Sequence, residues 1–379
     1  MERGGGEDPG LDQDTHRYPL RSYPGGQTEA WEDPGMKRVG GREGPDSPLQ
    51  RGDSGVAEKA NLPLRRKAFF LCVDYFALCL FDFSRFLSRF APPSWLFALF
   101  SGIGRALFHV RTGMRRDLLE KISEAMPELA AREVSRIGLQ ACVSATLPMF
   151  DLLVFGSRRR EYAAGLSVQG WEHLEKAEAA GRGVIFLFAH IGAYGTSPAV
   201  LAHLGKPFTP VMFHPEDTPI PRSSAAIDLY GESLGCDPEG PVFWAGDDTV
   251  SRVREHLGRG RRVGIAFDVP GTCIVPLFGR PAAMADGIAH FACDTGAPVI
   301  PFSLLRGRGV LERRLTFYPP LAGPGCGERR EDVKMIMREV AAAAESQIRS
   351  APGQWMSWFG LWHWWKKAEE LRAPGEVSA

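Results

Sequence analysis

Residues 1–62 and the rest of the chain are patterned differently. The first stretch is rich in Gly, Pro, Asp, Glu and Arg and almost free of apolar pairs. Such a segment cannot bury enough surface to offset its ordering entropy, so a disordered tail is expected there. The pattern then turns apolar. Leu64-Arg-Arg-Lys67 leads into Ala68–Phe81, which carries the single charge Asp74. That run is shorter than the ~20 residues a bilayer span needs. Continued to Phe90, it adds Asp82, Arg85 and Arg89. At about 100° per residue these four charges form a narrow polar stripe on a Phe/Leu surface. A second apolar stretch, Trp95–Phe108, follows Pro92-Pro93. The dense phenylalanine and the basic flank predict an N-terminal apolar helical membrane anchor over 63–112; a buried helix hairpin is the alternative.

Beyond residue 113 the periodicity is that of an α/β domain. Met114–Phe155 reads as helix, punctuated by Pro127 and Pro148. Trp171 to Gly181 reads as a short amphipathic helix closed by glycine. It feeds Gly183-Val-Ile-Phe-Leu-Phe-Ala-His190, whose six consecutive apolar residues predict a buried central strand. A helix over Thr196–Leu204 is expected after it. Further strands are predicted at Phe208–Phe213, Arg262–Asp268, Val299–Leu305 and Arg314–Tyr318. They alternate with helices at Ser223–Leu234, Asp247–Gly258, Ala285–Thr295 and Arg330–Arg349. That alternation implies a mostly parallel central sheet flanked by helices on both faces. The predicted domain spans 113–368, with a flexible C-terminus over 369–379. Near its end Trp355, Trp358, Trp362, Trp364 and Trp365 stand beside Lys366 and Lys367. Either a lipid headgroup layer or a core would use them.

Composition narrows the function. Forty-five Lys plus Arg balance forty-five Asp plus Glu in 379 residues, so no global field points to nucleic acid. The seven cysteines (72, 79, 142, 236, 273, 293 and 326) form no CxxC pair and are expected to be reduced thiols facing the cytosol. The polar first sixty residues show no cleavable signal peptide. His203, His214, His256 and His290 lack metal-ligand spacing, and no Walker loop or dinucleotide fingerprint is present. Neither a metal nor a nucleotide cofactor is expected.

The strongest chemical candidate is His190. It ends the central strand at the carboxyl edge of the sheet, where open α/β sheets place ligands. With an ordinary pKa near 6.5, imidazole works there as a base, or it caps the next helix. Gly231-Glu-Ser-Leu-Gly235 also satisfies the nucleophile-elbow pattern of serine hydrolases, with Ser233 as nucleophile, Ala226–Tyr230 as its strand, and Asp268 with His290 or His363 completing a triad.

Several stretches, in order, resemble the lipid A biosynthesis (lauroyl/myristoyl) acyltransferases of the lysophospholipid acyltransferase superfamily. They are Gly170-Trp-Glu-His-Leu, Gly181 through Gly192, Val263-Gly-Ile-Ala-Phe-Asp268, Val275-Pro-Leu-Phe-Gly-Arg-Pro281, Thr295-Gly-Ala-Pro-Val-Ile-Pro301 and Pro352-Gly-Gln-Trp355. The resemblance implies a glycerolipid acyltransferase-like fold at the cytoplasmic face of the inner membrane. It also implies acyl transfer from acyl carrier protein or coenzyme A to a membrane lipid, the thioester being substrate rather than cofactor. His190 would be the general base. Gly192, Tyr194, Phe213, Gly271, Thr272, Phe278 and Arg280 would line the acceptor and donor sites, Arg280 as the anion contact.

The family places an acid after His-x4, and Gly195 stands there instead. Three expectations follow. Asp268 supplies the carboxylate, although it is equally placed to cap the loop Val269–Thr272. Alternatively, the acceptor is an amine or an activated group that needs less help from the base. In the third, catalysis is lost and lipid binding kept.

Overall fold

The computed structural model describes residues 64–214, 221–235, 237, 242–246, 248–323, 325 and 327–372. The expected tail over 1–62 lies outside them. The apolar segment folds as two helices, α1 (Leu64–Leu87) and α2 (Pro93–Val110). Pro93 opens α2 at the position where a missing N–H costs nothing. Helices α3 (Thr112–Ala125) and α4 (Ala131–Ser157) follow, with Pro127 in the break between them and Pro148 inside α4. Then come α5 (Arg159–Ala164), β1 (Leu166–Gln169), α6 (Trp171–Glu178) and β2 (Val184–Phe188).

The second half alternates as expected, through α7 (Ser197–His203), β3 (Thr209–Met212), α8 (Pro221–Leu234), β4 (Phe243–Trp244), α9 (Thr249–Gly258) and β5 (Arg262–Ala266). A hairpin, β6 (Pro270–Leu277) and β7 (Arg280–Met284), leads to α10 (Gly287–Thr295) and β8 (Val299–Arg306). The chain closes with β9 (Arg313–Phe317), α11 (Arg329–Ser350), 3₁₀ turns at Pro352–Gln354 and Ser357–Phe359, and α12 (Leu361–Leu371). The C-terminus expected to be flexible from 369 thus stays helical through Leu371.

Seven strands form one sheet in the order β1-β9-β8-β2-β5-β3-β4, and every pair but β8–β9 is parallel. The short 307–312 connection allows β9 only an antiparallel return. In β2 four of the five residues are buried, so the apolar run does form the centre. One face packs on α4 and α7, the other on α10, α11 and the C-terminal tryptophans. Four of the five tryptophans are core: Trp355 and Trp358 are sealed, Trp364 and Trp365 nearly so, and only Trp362 is exposed. The headgroup reading of that cluster is therefore corrected; the large rings fill the space under the sheet's carboxyl edge.

Neither helix of the expected N-terminal anchor is long and apolar enough to cross a membrane. Among the described residues, the one helix long and apolar enough to cross a membrane is α4, and 61% of its apolar window is buried in the protein. Helices α1 and α2 instead pack on the domain and leave apolar side chains outside. Phe69, Phe76, Phe83, Phe86, Phe90 and Trp95 are each 59–71% exposed. From the polar stripe, Asp74 turns inward. Its carboxylate accepts from Ser223 N (2.9 Å), Ser223 Oγ (2.8 Å) and Arg222 N (3.2 Å), capping the first turn of α8.

Helix α4 also buries a charge. Asp151 is completely enclosed and receives Arg306 Nε (2.8 Å) on one oxygen and Arg313 Nε (3.1 Å) on the other. The three side chains tie α4 to the β8–β9 hairpin. Removing one partner of a buried ion pair strands the other, at a cost of about 3–5 kcal/mol. Asp151→Ala is expected to lose that much in urea unfolding; a loss under about 1 kcal/mol would show that the cluster does not hold α4 to the sheet.

Candidate active site

Register builds the site. Phe188 of β2 pairs with Ala266 of the adjacent parallel β5. The residues two further along each strand, His190 and Asp268, therefore emerge side by side at the carboxyl edge. Asp268 Oδ1 lies 2.7 Å from His190 Nδ1, and both carboxylate oxygens accept from the His190 backbone N–H (3.0 and 3.1 Å). The Asp268 side chain is sealed from solvent, whereas that of His190 is 29% exposed.

A third segment completes the clamp. After α11, the strap of residues 352–357 crosses the ends of β2, β5 and β8. Trp355 Nε1 (2.8 Å) and Ser357 Oγ (2.6 Å) both donate to Asp268 Oδ2. Met356 N donates to the His190 carbonyl (3.0 Å), and Gly192 N to the Gln354 carbonyl (3.0 Å). The Gln354 side chain brackets Arg306 of β8, accepting from its N–H and donating to its C=O, each at 2.9 Å. Gly192 has φ +64°, and a Cβ there would lie 2.3 Å from the Leu304 carbonyl oxygen. Only glycine lets the chain pass β8 so closely.

Electrostatics follow from this geometry. Burial works against a charged Asp268, but the His190 charge and the hydrogen bonds from His190, Ser357 and Trp355 outweigh it and hold the carboxyl at about 2. Burial likewise lowers His190; the negative charge and hydrogen bond of Asp268 reverse this and leave the imidazole above its ordinary 6.5. An ionised Asp268 can only accept, so Nδ1 carries the proton and Nε2 is the nitrogen left for a substrate. That is the orientation a general base requires.

Other expected site residues divide sharply. The Tyr194 ring stands edge-on to His190 with centroids 4.7 Å apart, and its hydroxyl reaches Met356 Sδ at 3.0 Å. Gly192 shapes the turn. Phe213, just past β3, is 58% exposed. Gly271 is a packing glycine of the β6–β7 hairpin, since a Cβ would meet the Met284 carbonyl oxygen at 2.3 Å; Thr272 beside it is exposed. Phe278 stacks on Trp358 (5.6 Å) at φ +52°. Arg280 bridges Glu124 of α3 (2.7 Å) and Glu369 of α12 (3.2 Å) over the Trp365 ring. Its guanidinium is engaged in holding α3 and α12 together.

Ser233 falls on α8 rather than at a strand end, and its hydroxyl donates to the Tyr230 carbonyl one turn back (2.7 Å). Asp268, the acid proposed for that triad, serves His190. No nucleophile elbow forms at Ser233, and the hydrolase reading is dropped. Sequence reasoning missed Trp355, Met356 and Ser357; the Pro352-Gly-Gln-Trp355 motif marked the segment without revealing what its side chains face.

The chain thus carries a histidine–carboxylate pair at the carboxyl edge of a mostly parallel α/β sheet. The profile of one family, the bacterial lipid A biosynthesis acyltransferases, matches residues 65–223 and 243–366. The chain belongs to that family, whose type is a transferase of acyl groups. No curated protein matches it.

The two shifted groups set opposite pH dependences. The raised His190 value stabilises the fold fully below about pH 6.5, a contribution lost as pH rises through the folded-state value. The depressed Asp268 value contributes above about pH 4 and is lost as pH falls towards 2. Histidine NMR titration should place His190 above 6.5 in the native protein. In Asp268→Asn, where only burial remains, it should fall below 6.5. An unmoved midpoint would show that Asp268 does not govern the ring.

Proposed function

We propose that the protein is a membrane-associated acyltransferase that uses His190 as general base. It moves a fatty acyl chain from an acyl carrier protein or coenzyme A thioester to the hydroxyl of a lipid or amphipathic acceptor, at the cytoplasmic face of the inner membrane. The observation that carries this reading is the 2.7 Å contact between His190 and a sealed, ionised Asp268 at the sheet's carboxyl edge. Family membership supplies the reaction class. His190 Nε2 takes the acceptor proton as the oxygen attacks the thioester carbonyl, and later returns it to the departing thiolate. Asp268 holds the tautomer and compensates the imidazolium charge.

On this reading the acid comes from Asp268, two residues past the end of β5, rather than from position 195. Gly195 has room for a side chain, the nearest atom to a built Cβ being Pro148 Cβ at 3.8 Å. Space does not forbid an acid there; the neighbouring strand already provides one. This favours a working base over an amine-dependent or inactive site. The exposed aromatic side chains of α1 and α2 support shallow membrane attachment, since so much bare apolar surface on one side suits a lipid interface.

Incubated with bacterial membranes and labelled acyl-carrier-protein or acyl-coenzyme A donors, the wild type should label a lipid. His190→Ala should reduce the rate by about 10²–10⁴, the worth of a positioned base. Replacing Phe76, Phe83, Phe86 and Phe90 by Ser should release the protein from phosphatidylglycerol-containing vesicles in flotation. Unchanged transfer in His190→Ala would end the proposed mechanism. Absence of transfer from any donor would leave a lipid-binding relative.

A further inference from the structure

An acyl transfer needs a second device besides a base. As the acceptor oxygen bonds to the thioester carbon, the carbonyl π pair moves onto oxygen, and that oxyanion must meet a hydrogen-bond donor. Backbone amides at the strand end commonly fill this role. Those of residues 190–193 are taken. His190 N is bonded to Asp268, Ile191 N to the Ala189 carbonyl, Gly192 N to Gln354 and Ala193 N to Leu304. Among the nearby side-chain donors, Trp355 and Ser357 are committed to Asp268, while Arg306 gives Nε and Nη2 to Asp151 and keeps Nη1 buried without a partner.

One donor stands on a ring directly against the base. The Tyr194 hydroxyl spends its proton on a thioether, Met356 Sδ at 3.0 Å, which is among the weakest acceptors a protein offers. It sits on the ring that abuts His190, centroids 4.7 Å apart. The geometry points to Tyr194 as a catalytic residue that donates its O–H to the oxyanion of the tetrahedral intermediate, leaving Met356 to do so. This rests on the acyl-transfer reading above. The oxyanion replaces a poor acceptor by a charged one, so the hydrogen bond strengthens only as the intermediate forms, which is the condition for lowering the barrier. Burial, and then the negative charge of Asp268, raise the phenol well above its ordinary value, so it remains a neutral donor at working pH. The step balances. The acceptor proton passes to His190 Nε2, and the acceptor oxygen forms the C–O bond while the carbonyl oxygen gains the π pair. Collapse of that oxyanion then breaks C–S, and the imidazolium proton goes to the thiolate. Tyr194 keeps its own proton throughout.

Tyr194→Phe keeps the ring and removes the donor. It is expected to lower kcat by about 10²–10³, the usual worth of one oxyanion donor. KM and the pH midpoint should not move, unlike in Asp268→Asn. A second measurement needs no turnover. A dodecylthio trifluoromethyl ketone, whose hydrate mimics the intermediate, should quench tryptophan fluorescence with an affinity about 10²-fold tighter than the matching methyl ketone. Tyr194→Phe should abolish that preference, and Met356→Leu should retain it. A full preference in Tyr194→Phe, or none in the wild type, would overturn the assignment. Failure of the acyl-transfer reading shows separately, as absence of turnover with every donor despite an intact preference.

Discussion

Everything at the carboxyl edge hangs on one buried carboxylate. Asp268 sits at the end of β5 where β2 and the 352–357 strap converge on it, and it receives hydrogen bonds from both: the His190 backbone and ring, the Trp355 indole and the Ser357 hydroxyl. An unpaired carboxylate in that position would be severely destabilising. Its donors are what make a sealed charge tolerable, and the same donors fix the imidazole. Structural necessity and chemical use therefore coincide in a single side chain.

A second buried carboxylate works on structure alone. Asp151 locks α4 to the β8–β9 hairpin through Arg306 and Arg313. Arg306 in turn is bracketed by Gln354 of the strap. The two charge centres are thus linked through one glutamine side chain, and the strap that restrains Asp268 is held by the strand beside β2. Tyr194 lies in the turn between them. Rigid anchoring on both sides suits a base and a donor that must face one reacting carbon.

Much of the fold was readable because the core strands are written as apolar runs. Val184–Ala189 announces a central strand, and β3, β5, β8 and β9 fall within a residue or two of expectation. The elements that escaped are those whose signals are weak or contrary. β1 and β4 are four and two residues long. The β6–β7 hairpin carries Pro270, Pro276 and Pro281, which a two-stranded ribbon tolerates because its outer edges need no partner. The tryptophans could be read either way until packing placed four of them inside. At the site, His190 was evident from its strand end. Asp268 was visible as a candidate, but its role depends on β2 and β5 being neighbours in register, which no local pattern encodes. Ser357 and Trp355 reach Asp268 from 89 and 87 residues further along the chain, beyond any periodicity. The two carboxylates beside Arg280 were equally hidden, because a resemblance locates a residue without saying what surrounds it.

The account requires that the acid has moved from position 195 to Asp268, and the pH dependence of acyl transfer tests this most directly. With kcat/KM measured across pH 5–9, the wild type should rise on an ascending limb centred above the ordinary histidine value of about 6.5. Asp268→Asn should shift that limb below 6.5 and lower the plateau towards the ~10⁴-fold loss known for the equivalent change in a serine protease triad. An Asp268→Asn enzyme with the wild-type limb and plateau would contradict the account.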